Sequence, residues 1–277
     1  MNVDYAENLP EWLNEKEMDL VLSDDIDSLA SCALLTKVKG WNIKYFYDFE
    51  RAYASKALAK ELKVKGKINN KCWVDVAVQN GYAIDNHLSR FKYDEIWNED
   101  MININTYGDA CNDFYTFKYS GSTILEVWSI LDYPLPKTEV GKMILLAIDS
   151  SFKGFYNEKF ADVQYSYLVD TLGLDELYDV IWRHKSYEFY NVMKKYKLNS
   201  KIEYDNGLKT DMDLSVIGKL LGVEITLPTD KFFVYKEFEV IEDDVSEWDD
   251  IYTYRKAFSL ALTYKNKVRY SKEKGAA

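Results

Sequence analysis

Asp25, Asp27, Asp75, Asp85, His87 and Asp149 are the residues of this sequence best placed to do chemistry. Asp25 and Asp27 follow an apolar run at 18–23, Asp75 sits inside the run 72–78, and Asp149 ends the run 143–148. Carboxylates that point into one crevice repel one another and are pushed toward their protonated forms. Divalent cations remove that penalty. Two ions ~3.5–4 Å apart, bridged by a carboxylate, activate a water and brace a phosphoryl oxygen. The plainer alternative is a set of helix caps and solvated turns, since an Asp just ahead of a helix is a sound N-cap. The chain has two histidines, His87 and His184, so metal chemistry would rest on carboxylates and favour Mg2+ or Mn2+. His184, in Trp182-Arg183-His184-Lys185, lacks such a setting and is expected at the surface.

The elements that must position these residues follow from hydropathy spacing. The run 18–23 reads as a short buried strand. Segment 28–38 carries Leu29, Cys32, Ala33, Leu35 and Val38 at helical spacing and is stopped by Gly40. A second strand is expected at 43–47 and an Ala- and Lys-rich helix at 51–64. Strand, helix, strand, helix argues for a parallel α/β sheet. A third strand at 72–78 is followed by Asn80-Gly81, a turn signal that favours a hairpin into 82–84. The stretch 98–119 reads as a long loop, 123–131 as a helix, and 139–147 as a helix or buried strand. Beyond about 160, segment 163–196 is mostly helical in pattern, 213–221 is a short amphipathic helix, and 231–241 alternates as a strand does. Eight acids lie between 237 and 250, and the segment after them is basic. The expected organisation is an α/β domain over 1–163, a mainly parallel sheet flanked by helices, followed by a smaller α+β domain over 164–277.

Charge narrows the partners. With 46 acidic and 35 basic residues the formal charge is −11. That argues against a long duplex, whose phosphates demand clustered Lys and Arg. A small anionic substrate held on metal ions stays compatible with it. Cys32, Cys72 and Cys111 are too few and too widely spaced for a disulfide framework. The acidic start lacks the pattern of a secretory signal, and the apolar runs are too short for a membrane span, so a cytoplasmic chain without a membrane partner is expected. Lys118, Ser120, Ser122 and Thr123 could offer donors to a phosphate at the start of the helix that follows them. Arg51, Arg90 and Lys92 could pair with further phosphates. Tyr107, Phe114, Tyr115, Phe117 and Tyr119 could stack bases or simply pack.

These pieces share an order with a known family. Asp25-Ile-Asp27-Ser-Leu-Ala-Ser31 resembles the first motif of the DHH phosphoesterase superfamily, a DxD opening a helix with a Ser four positions later. Trp73-Val-Asp75 resembles its second motif, and Ala83-Ile-Asp85-Asn86-His87 resembles the DHH triplet. Segment 120–126, with Glu126, and segment 145–152, with Asp149, resemble its closing elements. The resemblance covers residues 18 to 155 and none of 165–277. It implies a relative of RecJ-type nucleases, nano-RNases, cyclic-dinucleotide phosphodiesterases and family II pyrophosphatases. Asp25 would bind a first ion, Asp27 a second, Asp75 would bridge them, Asp149 would complete the second site, and Asn86 would stand among the ligands. His87 would contact the scissile phosphate or assist proton transfer, and Ser31 would serve the substrate.

The sequence departs from that family at named positions. Ser23 or Asp24 stands where a His usually precedes the DxD, Asn86 replaces the middle His, and Ser28 replaces a Gly. Asp48 is an alternative ligand, and no Gly-rich substrate loop follows in the second half. The implied activity is hydrolysis of phosphate esters of short oligonucleotides or small nucleotides, with two Mn2+ or Mg2+ ions, and a homodimer is a permitted assembly. The competing expectation is a catalytically decayed DHH fold kept for binding. A haloacid-dehalogenase-like phosphatase also uses DxD after a strand, but its later Lys and acidic motif find no good match here.

Overall fold

The computed structural model of the chain describes residues 1–65, 69–95, 97–245, 254 and 256–275. Its elements, in chain order, are α1 (Val3–Glu7), β1 (Met18–Leu22), α2 (Ile26–Lys39), β2 (Asn42–Tyr47), β3 (Arg51–Ser55), α3 (Lys56–Lys65), β4 (Asn70–Val74), β5 (Ala83–Ile84), β6 (Met101–Ile102), α4 (Ile104–Tyr107), α5 (Thr123–Ile130), α6 (Glu139–Ala147), α7 (Ala161–Tyr165), α8 (Asp175–Arg183), α9 (Ser186–Tyr196), β7 (Glu203–Tyr204), β8 (Leu208–Lys209), α10 (Leu214–Leu221), β9 (Phe232–Asp244), β10 (Ser259–Tyr264) and β11 (Lys267–Glu273).

β1 is buried along its whole length, as a strand covered on both faces must be. Its side chains alternate between two cores: Leu20 and Leu22 enter the larger one, and Val21 enters the one on the opposite face. Nine strands form one sheet in the order β10-β11-β9-β3-β2-β1-β4-β5-β6, and β7 pairs with β8 apart from it. Strands β2, β1, β4, β5 and β6 run parallel. Strands β3, β9, β11 and β10 extend the sheet by antiparallel pairing. The class is α/β, and the sheet is mixed where a mainly parallel one was expected.

Several elements fall where local signals put them. Gly40 closes α2 with a left-handed φ of 74°, the conformation glycine adopts without cost. Asp213 caps α10, and 232–244 is a long strand. The last three of the acids between 237 and 250, Glu247, Asp249 and Asp250, fall outside the described residues. Other expectations are corrected. The helix expected from residue 51 begins only at Lys56, because Arg51–Ser55 is held between β2 and β9. The Asn80-Gly81 turn does not make a hairpin. The segment 75–82 reverses twice, with left-handed φ at Asp75 (61°) and Gly81 (92°), and β5 returns parallel to β4. The run 143–148 is helical through Ala147, so Asp149 follows a helix and not a strand. The loop expected at 98–119 contains β6 and α4. Apart from these corrections, α7 spans residues 163 and 164, and β9–β11 share the sheet of the N-terminal strands.

The far edge of the sheet curls back over the strand ends. The Leu260 N–H donates to Ala77 O at 2.9 Å, the Gln79 N–H to Phe258 O at 2.9 Å, and the Leu262 N–H to Leu88 O at 2.7 Å. Tyr47 Oη donates to Ser271 Oγ at 2.8 Å across 224 residues of chain. Among the described residues no helix is long and apolar enough to cross a membrane.

Candidate metal centre

Three neighbouring parallel strands each release an acid just past their C-terminal ends: β1 into Asp25, β4 into Asp75, and β5 into Asp85. This is the crevice where parallel α/β sheets hold their ligands. Ser28 locks two of the strand ends together, accepting from the Ser23 N–H and donating to Val74 O, both at 2.8 Å.

Asp85, His87 and Asp75 form the tightest group. The buried Asp85 accepts from the His87 N–H at 2.9 Å and lies 2.7 Å from His87 Nδ1. Asn103 Nδ2 donates to Asp85 Oδ2 at 3.3 Å and to His87 O at 2.8 Å, which fixes the turn. Asp75 Oδ1 lies 3.7 Å from the same His87 nitrogen. One ligand atom from each of the three lies within 4.8 Å of the others, a set able to hold one cation. Burial draws the His87 pKa down, but the charge and hydrogen bond of Asp85, with Asp149, outweigh it and push it up to about 9. Burial also raises Asp75, and the charges of Asp27, Asp25, Asp85 and Asp149 raise it further.

The other expected ligands lie around this group with their atoms engaged elsewhere. Asp25 caps α2, accepting through Oδ1 from Asp27 N at 3.1 Å and Ser28 N at 3.2 Å. Asp27 is buried and caps a different helix: its two oxygens accept from Thr123 N at 2.8 Å and Ile124 N at 2.7 Å, at the start of α5. Burial first, then the charges of Asp149 and Asp25, raise its pKa against the pull of those two amides. Asn86 donates to Gly121 O, and its Oδ1 lies 3.1 Å from Thr123 Oγ1. That hydroxyl also lies 2.8 Å from Asp75 Oδ1, so its single proton serves both acceptors. Asp149 is held in a left-handed conformation with φ 49°. Solvent reaches its side chain, yet protein on the other sides raises its pKa, with His87 opposing.

The remaining expected residues are dispersed. Lys118 sits close enough to Asp149 and Asp85 for their charges to oppose the lowering of its pKa by burial. Ser31 and Ser122 are buried with hydroxyls that have no hydrogen-bond partner among the described residues. Asp48 is engaged in the β2–β3 turn, accepting from Glu50 N, Arg51 N and Tyr53 Oη. Arg90 is buried against the carbonyls of Tyr93 and Thr106. Tyr119 is buried, while Phe114 and Phe117 are exposed and pack on each other. His184 bridges Glu139 and Glu188 at 3.1 Å each, away from the crevice.

Two cations were not anticipated. Lys201 Nζ lies 2.8 Å from Asp24 Oδ1 and 3.4 Å from Asp25 Oδ2. Arg269 of β11 rests over the Phe49 ring at 5.0 Å and helps line a cavity of about 100 Å3 shared with Asp75 and His87. Neither carries a local sequence signal, since only the fold brings residues 201 and 269 to the crevice. No family model matches the chain, and no curated protein matches it in sequence.

Proposed function

We propose that the chain is a divalent-metal-dependent phosphoesterase acting on phosphate esters of short oligonucleotides or small nucleotides. The observation that carries this reading is the convergence of Asp75, Asp85 and His87 on one point at adjacent strand ends. Hard oxygens with one imidazole suit Mn2+ or Mg2+. The chemistry such an ion supplies is Lewis acidity toward the ester and a lower pKa for the attacking water. Asn103 keeps the Asp85 turn in place, and the Thr123 hydroxyl aims Asp75. The His87 imidazolium loses a proton on becoming a ligand, so affinity for the ion rises with pH. In this reading Lys118 and Arg269 meet substrate oxygens, and the cavity beside Arg269, far below the ~300–1,000 Å3 of a pocket for a drug-sized ligand, supports a small phosphorylated group there.

A second reading, a decayed catalytic fold kept for binding, draws on one observation: Asp27 and Asn86 are engaged in structural hydrogen bonds. Calorimetry with Mn2+ on wild type and Asp75→Ala separates the two, followed by hydrolysis assays on dinucleotides and cyclic dinucleotides. Ion binding lost in Asp75→Ala, with turnover in wild type, is expected. Absence of binding at millimolar Mn2+ would sink the enzymatic reading.

A further inference from the structure

Of the oxygens a second ion could use, several already hold structural hydrogen bonds, and those left over, Asp24 Oδ1 and Asp25 Oδ2, face Lys201. Asp27 gives both oxygens to the amides of α5, and Asn86 gives its amide to Gly121 and faces the Thr123 hydroxyl. Asp25 Oδ1 caps α2. The side chain ahead of the acidic pair, Ser23, is fully buried and its hydroxyl has no partner among the described residues. What meets the acids on this side is Lys201, in contact with both Asp24 and Asp25. Its place is fixed by the backbone, because the Ile202 N–H donates to Asp24 O at 2.6 Å. An ammonium on a tethered stem is a compact point charge with three donors, suited to quench two carboxylates at once.

We propose that Lys201 is a built-in cation standing in for a second ion, so that the crevice takes one divalent ion, at Asp75, Asp85 and His87. This rests on the metal-dependent reading above and changes its stoichiometry. The chain then supplies one positive charge from its own sequence beside the two of the ion. The single ion sits on the His87 side, and the Asp24–Asp25 side keeps the one positive charge of Lys201 whether or not metal is present.

The test counts ions rather than turnover. Mn2+ is titrated calorimetrically into the full chain, with free Mn2+ followed by electron paramagnetic resonance. Wild type is expected to bind one ion. Lys201→Ala is expected to bind two, the second more weakly, and Lys201→Arg one. Lys201→Gln keeps much of the aliphatic stem and guards against a folding defect, and it should behave as the Ala variant does. Two ions in wild type overturn the proposal, as does one ion in both wild type and the uncharged variants. No ion in wild type overturns the metal-dependent function itself, so the two failures are told apart.

Discussion

His87 should tie the stability of the ion-free chain to pH, in a window set by its carboxylate neighbours. An unfolded imidazole titrates near 6.5, and in the fold the value is about 9. A group whose folded pKa is raised stabilises the fold fully below its unfolded value, and that contribution is lost as pH rises through the folded value. The full linkage between those two values is about 3 kcal/mol. The His87 side chain is 37% exposed, so solvent screens part of its pairing with Asp85, and about 1–2 kcal/mol is the share expected to appear. The assay is urea unfolding in EDTA at several pH values from 6 to 10, on wild type and His87→Gln. The buried acids raised by their own crowding titrate in both proteins, so the difference between the two curves reports the imidazole together with the smaller effect of its charge on Asp149. Wild type should lose about 1–2 kcal/mol more than the variant between pH 6.5 and 9.5. Parallel curves, or a variant that loses more, would refute the pairing of His87 with Asp85 as the source of the shift.

Asp27→Ala strips the acceptor from two buried amides of α5 while relieving repulsion with Asp25 and Asp149, for a net loss of about 2 kcal/mol in chemical denaturation; a change below ~0.5 kcal/mol would show that the cap carries little. Gly121→Ala places a methyl into the Tyr119 ring, and a fall in stability of about 1–3 kcal/mol by the same assay is expected; an unchanged midpoint would mean that the ring moves aside freely. Thr123→Val removes the hydroxyl that orients Asp75 and should weaken Mn2+ binding about 10-fold with the fold intact, as seen by calorimetry and circular dichroism; unaltered affinity would remove Thr123 from the site.

The legible parts of this fold are those whose signals close within one element. The apolar strand at 18–22, the helix behind it and the stop at Gly40 are all local, and Asp25 caps that helix as its position foretells. Asp75, Asp85 and His87 stand out in the sequence by residue type and motif order, but it is the parallel pairing of β4 and β5, where a hairpin was expected, that carries them to one edge. Asp27 shows the limit: its spacing reads as a ligand, but its oxygens face α5 amides almost a hundred residues away. Arg51–Ser55 misleads for the same reason. Its Ala-rich local preference is overruled by β9, a partner some 180 residues downstream, and strand propensity depends on such neighbours. Lys201 and Arg269 sit in stretches with no motif at all, and their place at the crevice is a product of topology alone.

The closure of β10 over residues 77–79 and Leu88 sets an order of events during synthesis. Tyr47 meets Ser271 only after the intervening 224 residues have been made, which at ribosomal rates of ~5–20 residues per second is about ten seconds or more. For most of that interval, until β9 is made, β3 has no partner on its outer side, and the emerging chain shows an exposed strand edge to anything nearby. A nascent chain of this protein therefore has reason to need a chaperone at the moment when its acidic loops are already out and their roof is not.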